Sequence, residues 1–203
     1  MRRVLIATSN PGKLRDFAAA AAGHGIAIVS VPGFDELPGV VEDGATFEAN
    51  ARKKAEHYSR QVPGELVLAD DSGLAVDALG GAPGVHSARY AAGPEQENSS
   101  DLANNARLLH DVEEVQNGSR GAQFVCVIAA ARDGRTLSTF RGKAEGEILR
   151  QPRGSGGFGY DPLFYFPRLG KTFAELTPKE KAVVSHRGAA FRKFLEWYRS
   201  MAT

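Results

Sequence analysis

The apolar positions change period several times along the chain, and each change marks an element. Val4 to Ala7 is a continuous apolar run, as in a strand buried on both faces, and it predicts a strand over 3–7. Leu14, Phe17, Ala18 and Ala21 then recur at the i, i+3, i+4, i+7 spacing of one helical face, and Gly23 and Gly25 stop the pattern. A second strand is predicted over 26–31. Thr46 suits a helix N-cap, and the helix behind it is expected to reach about Arg60, ahead of Pro63-Gly64. Leu66 to Ala69 reads as a buried strand expected to end on Asp70-Asp71-Ser72-Gly73.

Past the loop Gly80-Gly81-Ala82-Pro83-Gly84, a helix is expected through Leu102, Ala106, Leu109 and Val112. Strands over 122–132 and 135–140 flank Asp133-Gly134, a two-residue hairpin signal, and the second strand is expected to continue toward Leu149. Thr177-Pro178-Lys179-Glu180 places a cap, a proline at the first helical position and a glutamate three after the cap, a specific helix start. A last helix from Ser185 is expected to bury Ala189, Phe191, Phe194, Leu195 and Tyr198. Alternating strands and helices, then a hairpin, then a helix predict an α/β fold with a mixed sheet. No repeat or low-complexity linker interrupts it, so residues 1–203 are read as a single domain.

Composition narrows the function. Lys plus Arg number 25 against 24 Asp plus Glu, a net charge of +1, so no bulk field attracts nucleic acid or an anionic membrane. Anion binding must come from local clusters. One cysteine, Cys126, lies in an apolar run and reads as a buried core thiol. No segment approaches the roughly 20 apolar residues of a membrane span, and the run after Met1-Arg2-Arg3 is short of a signal-peptide core. A cytoplasmic protein is the expectation.

Five segments carry candidate chemistry. Thr8-Ser9-Asn10-Pro11-Gly12-Lys13 joins a strand end to a helix start, where backbone N–H groups, the helix dipole and the Lys13 charge favour phosphate; it lacks Walker A spacing, and an ordinary capped turn reads equally. Lys54 falls inside the apolar stripe of Phe47, Ala51, Ala55 and Tyr58, so it either snorkels or projects toward a ligand. Asp70-Asp71, with Glu42 upstream, offers hard oxygen ligands of the kind Mg²⁺ takes beside phosphate and water, or else an acidic turn. Gly154–Asp161 sets Phe158 and Tyr160 among four glycines, giving close backbone approach and aromatic faces for a base. Lys181 with Ser185-His186-Arg187 clusters donors near a helix start, for an anion or a carbonyl oxygen, or else forms a solvated helix–helix corner.

Together these segments resemble the inosine triphosphate pyrophosphatase family, hydrolases that remove nonstandard purine triphosphates such as dITP, ITP and XTP. The resemblance is carried by Ala7–Lys13, Thr46-Phe47 with Asn50-Ala51 and Lys54-Ala55, and Ala69–Leu74. It continues through Gly80–Val85 with Ser87–Tyr90, Gly156–Pro162 and Ser185–Gly188, in family order along the chain. It implies an elongated α/β fold with a central mixed sheet, two lobes around a nucleotide cleft, and a homodimer. It also implies that Thr8, Ser9, Asn10, Pro11, Gly12, Lys13 and Lys54 hold the triphosphate and that Glu42 and Asp71 place Mg²⁺. Asp71 would be the general base, with Asp70 a substitute for it and Ser72 close to substrate. Phe158, Gly159, Tyr160 and Asp161 would form the base pocket, and Lys181, His186 and Arg187 would read the base edge.

The family usually carries glutamate where this chain has Ala49, three residues after the cap Thr46. The loss of the capping box should weaken that helix by about 1 kcal/mol. Two rival classes differ in their requirements. A pyrophosphatase of the septum-inhibitor type, acting on modified pyrimidines, fits poorly with the Ser-His-Arg and Gly-Gly-Phe-Gly-Tyr-Asp segments. A non-catalytic nucleotide sensor would not need Glu42, Asp70, Asp71 and Lys13 together.

Overall fold

The computed structural model describes residues 2–92 and 98–201. Seven strands form one mixed sheet in the order β2-β1-β3-β4-β5-β6-β7. In chain order the elements are β1 (Arg2–Ile6), α1 (Pro11–Ala21), β2 (Ile26–Ser30), α2 (Phe47–Ser59), β3 (Val67–Val76) and α3 (Asp101–Asp111). They continue with β4 (Gly121–Arg132), β5 (Arg135–Ile148), β6 (Phe164–Phe166), β7 (Lys171–Thr172), α4 (Pro178–Val184) and α5 (His186–Ser200). The chain forms two compact units, one of residues 1–71, 126–143 and 182–203, the other of 72–125 and 144–181.

In the first unit β1 pairs in parallel with both β2 and β3, as expected for strands joined by helical crossovers. Strand side chains alternate faces, and the two cores follow that alternation. Val4, Ile6 and Leu68 pack with Phe17 of α1 and with Phe191 and Phe194 of α5. Leu5, Val67 and Ala69 pack on the other face with Ala51, Ala55 and Tyr58 of α2. Glycine at 142 lets α5 sit on β5: a Cβ there would lie 2.1 Å from the His186 carbonyl oxygen and 2.4 Å from the Ala190 nitrogen.

The second unit is held by aromatic packing. Phe124, Phe164 and Phe173 are mutually in contact, with ring centroids 4.7 to 5.8 Å apart. Antiparallel pairing of β5 with β6 and of β6 with β7 extends the sheet. Arg120, buried, donates to the carbonyls of Ile148 (2.8 Å), Leu149 (3.2 Å) and Val112 (2.5 Å), tying the end of α3 to the end of β5.

Most predicted elements stand where the periodicity places them. On α3, however, Leu102 and Ala106 are exposed while Asn104 and Leu108 are buried, and Tyr198 of α5 is only half-buried. Two further differences stand out. The strand expected to end on Asp70 continues to Val76, so the Asp70-Asp71 pair lies within a strand and not in a turn. On α5, Ala190 is the fully buried alanine, and Ala189, one position earlier, is only half-buried. The cap expected at Thr46 forms, and Asn10, Ser100 and Ser185 likewise each accept a backbone N–H three residues on. At Thr177 the box is complete, with Glu180 N–H donating to the threonine hydroxyl and Glu180 Oε2 accepting Thr177 N–H at 2.8 Å. At Thr46 only one leg forms, from Ala49 N–H, because alanine has nothing to return.

Candidate functional site

Because Asp70 and Asp71 are consecutive in a strand, their carboxylates leave the sheet on opposite faces. Asp70 points to the α1/α5 face. There Lys13 Nζ stands 3.1 Å from Oδ1 and Arg187 Nη2 lies 3.4 Å from Oδ2, with the Cys126 thiol 4.0 Å away. Arg187, only 2% exposed, also donates to Asp16 at 2.7 Å. Burial alone would raise the Asp70 pKa, but Lys13 and Arg187 outweigh it and hold the carboxyl well below its usual range. The same burial pushes the Cys126 thiol up, with the Asp70 charge adding to it, so the thiol stays protonated.

Asp71 points to the α2 face. Asn50 Nδ2 donates to its Oδ2 at 3.0 Å, and Lys54 Nζ lies 3.7 Å from its Oδ1. The Lys54 ammonium also holds Glu42 at 2.7 Å. Lys54 is therefore neither a snorkelling lysine nor an isolated charge: it sits buried on the apolar stripe of α2 and gathers two carboxylates. Desolvation works against its charge, yet Asp71, Glu42 and Asp70 together raise its pKa. Asp71 is pushed the other way from its neighbour, upward, because its burial exceeds the help of Lys54 and Lys13.

At the start of α1, Asn10 caps Lys13 N–H at 3.0 Å while its own N–H donates to the Thr8 hydroxyl at 3.2 Å. Ser9, Asn10 and Pro11 are exposed, Thr8 and Gly12 are buried, and Lys13 turns toward Asp70. Thus Thr8–Lys13, Glu42, Lys54, Asp70, Asp71 and Arg187 all fall in the first unit. His186, buried at the first position of α5, also belongs to it.

In the second unit, Asp161 organises its own loop. Its Oδ2 accepts Phe158 N–H at 2.9 Å and the Lys181 ammonium at 2.5 Å, and Lys181 Nζ lies 4.8 Å from the Phe158 ring centroid. Gly157, with φ +73°, must lack a side chain, since a Cβ would sit 2.1 Å from Asp161 Oδ2. The Gly159 peptide is gripped by the first turn of α3: Asp101 Oδ2 accepts its N–H at 2.6 Å and Asn105 Nδ2 donates to its carbonyl at 3.0 Å. Phe158 is half-buried, whereas Tyr160 is turned inward and donates its hydroxyl to the Ser87 carbonyl at 2.7 Å. Of the two aromatics, then, Phe158 keeps the more accessible face. Ser72 stands half-buried on β3, in this unit.

Among the described residues no group of three or more His, Cys, Asp or Glu side chains could by itself enclose a metal ion. Glu42 and Asp71, converging on one ammonium, are instead a two-carboxylate set. That set fits Mg²⁺, which takes one or two carboxylates and completes its shell with phosphate oxygens and water.

The fold and these residues define an α/β protein whose charged side chains are gathered on both faces of one strand. A sequence model of the Ham1 family matches residues 4–197, and the chain belongs to that family. It is 48% identical to a dITP/XTP pyrophosphatase of Geobacillus kaustophilus over 196 residues, covering 97% of this chain and 94% of that protein. With the dITP/XTP pyrophosphatase of Acidobacterium capsulatum the identity is 50%, covering 94% and 95% respectively. Among solved structures, the Staphylococcus aureus Ham1 protein superposes with a TM-score of 0.81 at 39% identity, covering 98% of this chain and all of that one. A nucleoside-triphosphatase, dITP/XTP pyrophosphatase, from Mycobacterium abscessus gives a TM-score of 0.71 at 41% identity, covering 95% and 98%.

Two parts of this arrangement escaped the sequence reading. Asn50 was legible only as part of a resembling segment, although a buried amide one turn before Lys54 on an apolar stripe is itself a signal. Asp101 and Asn105, an i, i+4 pair on α3, carry no local mark of their role at Gly159.

Proposed function

We propose that this protein hydrolyses nonstandard purine nucleoside triphosphates, dITP, ITP and XTP, to the nucleoside monophosphate and pyrophosphate. The observation that carries the reading is the convergence of Glu42 and Asp71 on the buried Lys54, in a chain of the Ham1 family about half identical to dITP/XTP pyrophosphatases. No helix among the described residues is long and apolar enough to cross a membrane. The reading includes a cytoplasmic homodimer that binds neither nucleic acid nor membrane, checked for assembly by sedimentation.

Lys13, the backbone at Thr8–Gly12 and Lys54 supply the positive charge and N–H donors that hold the triphosphate. Glu42 and Asp71 would hold Mg²⁺, which would supply neutralisation of the charge that develops on the phosphates. Asp71 takes the proton of the attacking water as its oxygen forms a bond to the α-phosphorus. The bond from that phosphorus to the bridging oxygen breaks, and pyrophosphate leaves with the oxygen. Asp70 is the weaker candidate for this proton, since Lys13 and Arg187 already compensate its charge on the far face of β3.

For the base, Phe158 supplies the accessible ring and Asp161 fixes its backbone, with Lys181 as a donor to the 6-keto oxygen. The expected role of Arg187 at the base edge is the part least supported, since its guanidinium is engaged by Asp16 and Asp70. The test is product analysis with Mg²⁺ and each of dITP, XTP, GTP and ATP. Monophosphate and pyrophosphate from dITP and XTP, with little from GTP and ATP, is the expected result. Diphosphate and orthophosphate would move the attack to the γ-phosphorus and end the mechanism. Turnover that survives removal of Mg²⁺ by a chelator would end the metal assignment.

A further inference from the structure

Asn50 is an amide on the buried stripe of α2, 1% exposed. Leaving such a group unsatisfied costs about 1–3 kcal/mol, so its hydrogen bonds define its place. Three are made. Oδ1 accepts Gly44 N–H at 2.8 Å, and Nδ2 donates to Asp71 Oδ2 at 3.0 Å and to the Gly44 carbonyl at 3.4 Å. The orientation of the amide follows from chemistry. Gly44 N–H can only donate, so the amide oxygen must face it, and the NH₂ group must then face the carboxylate.

Lys54 lies one helical turn further along the same face, at i+4. It holds Glu42 at 2.7 Å and approaches the second oxygen of Asp71 at 3.7 Å. Asn50 and Lys54 thus grip Asp71 by one oxygen each, while both also hold the short segment that contains Glu42 and Gly44. Glycine at 44 is part of the device. A Cβ there would stand 2.6 Å from Asn50 Oδ1 and 2.9 Å from the Ala49 Cβ, although the backbone of residue 44 is not in the left-handed region.

We propose that Asn50 is a positioning residue for the reaction, locking the Asp71 carboxylate in register with the Glu42–Gly44 segment. The inference rests on the reading of Asp71 and Glu42 given above. It concerns geometry: without the amide, Asp71 keeps its charge partner but loses the bond that fixes its rotation. Substitutions at the partners that orient a metal-binding carboxylate commonly cost 10–100-fold in affinity or activity.

The experiment compares Asn50→Leu, Gly44→Ala and Asp71→Asn with the unmodified protein. Asn50→Leu replaces the amide by an apolar group of the same branching and adds no charge. Gly44→Ala leaves the amide in place and pushes it away from the opposite side, so the question stays open to test if Asn50→Leu does not fold. Two readouts are taken: kcat and KM for dITP, and the rise in Tm produced by Mg²⁺ alone, without substrate. Both Asn50→Leu and Gly44→Ala should lower kcat and weaken the Mg²⁺ response by roughly 10–100-fold in concentration, with KM for dITP within about threefold. Wild-type kcat and Mg²⁺ response in these two variants, beside an inactive Asp71→Asn, overturns the positioning role and leaves the parent reading standing. An active Asp71→Asn overturns the parent reading, and the role of Asn50 with it.

Discussion

Gly142→Ala sets two physical rules against each other, and the structure decides between them. In a strand, alanine in place of glycine should help, because the unfolded chain loses freedom; the gain is about 0.4–1 kcal/mol. Here the Cβ would enter the backbone of α5, 2.1 Å from the His186 carbonyl oxygen, 2.4 Å from the Ala190 nitrogen and 3.0 Å from the Ala189 carbonyl carbon. Ordinary contact lies at 3.4–4 Å, so the helix must withdraw by more than an ångström, and no flexible side chain can yield instead. Overpacking of this kind costs about 1–3 kcal/mol, which exceeds the entropic gain. The net loss of roughly 1–2 kcal/mol corresponds, for a chain of this size, to a Tm lower by about 2–8 °C. The start of α5 also carries Arg187, so its bonds to Asp16 and Asp70 should lengthen. Calorimetry of Gly142→Ala beside Gly39→Ala is the assay, because a Cβ at Gly39 meets nothing within 4 Å. Gly39→Ala should be neutral or slightly stabilising. A Gly142→Ala protein as stable as the parent would refute the close approach of α5 to β5.

Three further outcomes follow from the same structure. Arg187→Met removes a cation from the buried Asp70 and the half-buried Asp16 and should destabilise by about 3–5 kcal/mol, read by guanidinium unfolding; unchanged stability with altered selectivity for ATP would return Arg187 to the base edge. Glu180 has its pKa lowered to about 2, chiefly by Thr177 N–H, with Lys171 and the Thr177 hydroxyl assisting. A depressed carboxylate stabilises fully above its unfolded value of 4.5 and loses that contribution as pH falls toward about 2. The Tm gap between the parent and Glu180→Ala should therefore be present at pH 7 and close over that window, and a gap independent of pH would contradict it. Phe158→Leu should raise KM for dITP by roughly 5–100-fold, with a smaller change in kcat, if a base stacks on that ring.

Local chemistry was the legible part of this chain. Thr46 and Thr177 announce their helices because a cap acts within three residues, and Asp133-Gly134 announces its hairpin for the same reason. The continuation of β3 through Asp70-Asp71 was not legible. Two adjacent carboxylates disfavour a buried strand unless cations reach them from elsewhere, and Arg187 does so from 117 residues away. β6 and β7, of three and two residues, are too short to show a period. The charged residues of the first unit were found by kind, but their division over two faces of one strand needed the register of β3. Tyr160 looked like a stacking surface in sequence, and only its bond to Ser87 shows that it faces inward.

The ion pair of Arg187 with Asp16 joins residues 171 positions apart, and it bears on how the protein is made. During synthesis, chains generally fold from the N-terminal end as they emerge. Here β1 and α1 belong to a unit whose helix α5 is translated only after the whole of the other unit. Asp16 and Asp70 wait for Arg187 until the segments of the other unit, the last ending at Lys181, have been made. A stalled or truncated nascent chain would therefore present the α1 face of the sheet, apolar and acidic, to chaperones and proteases.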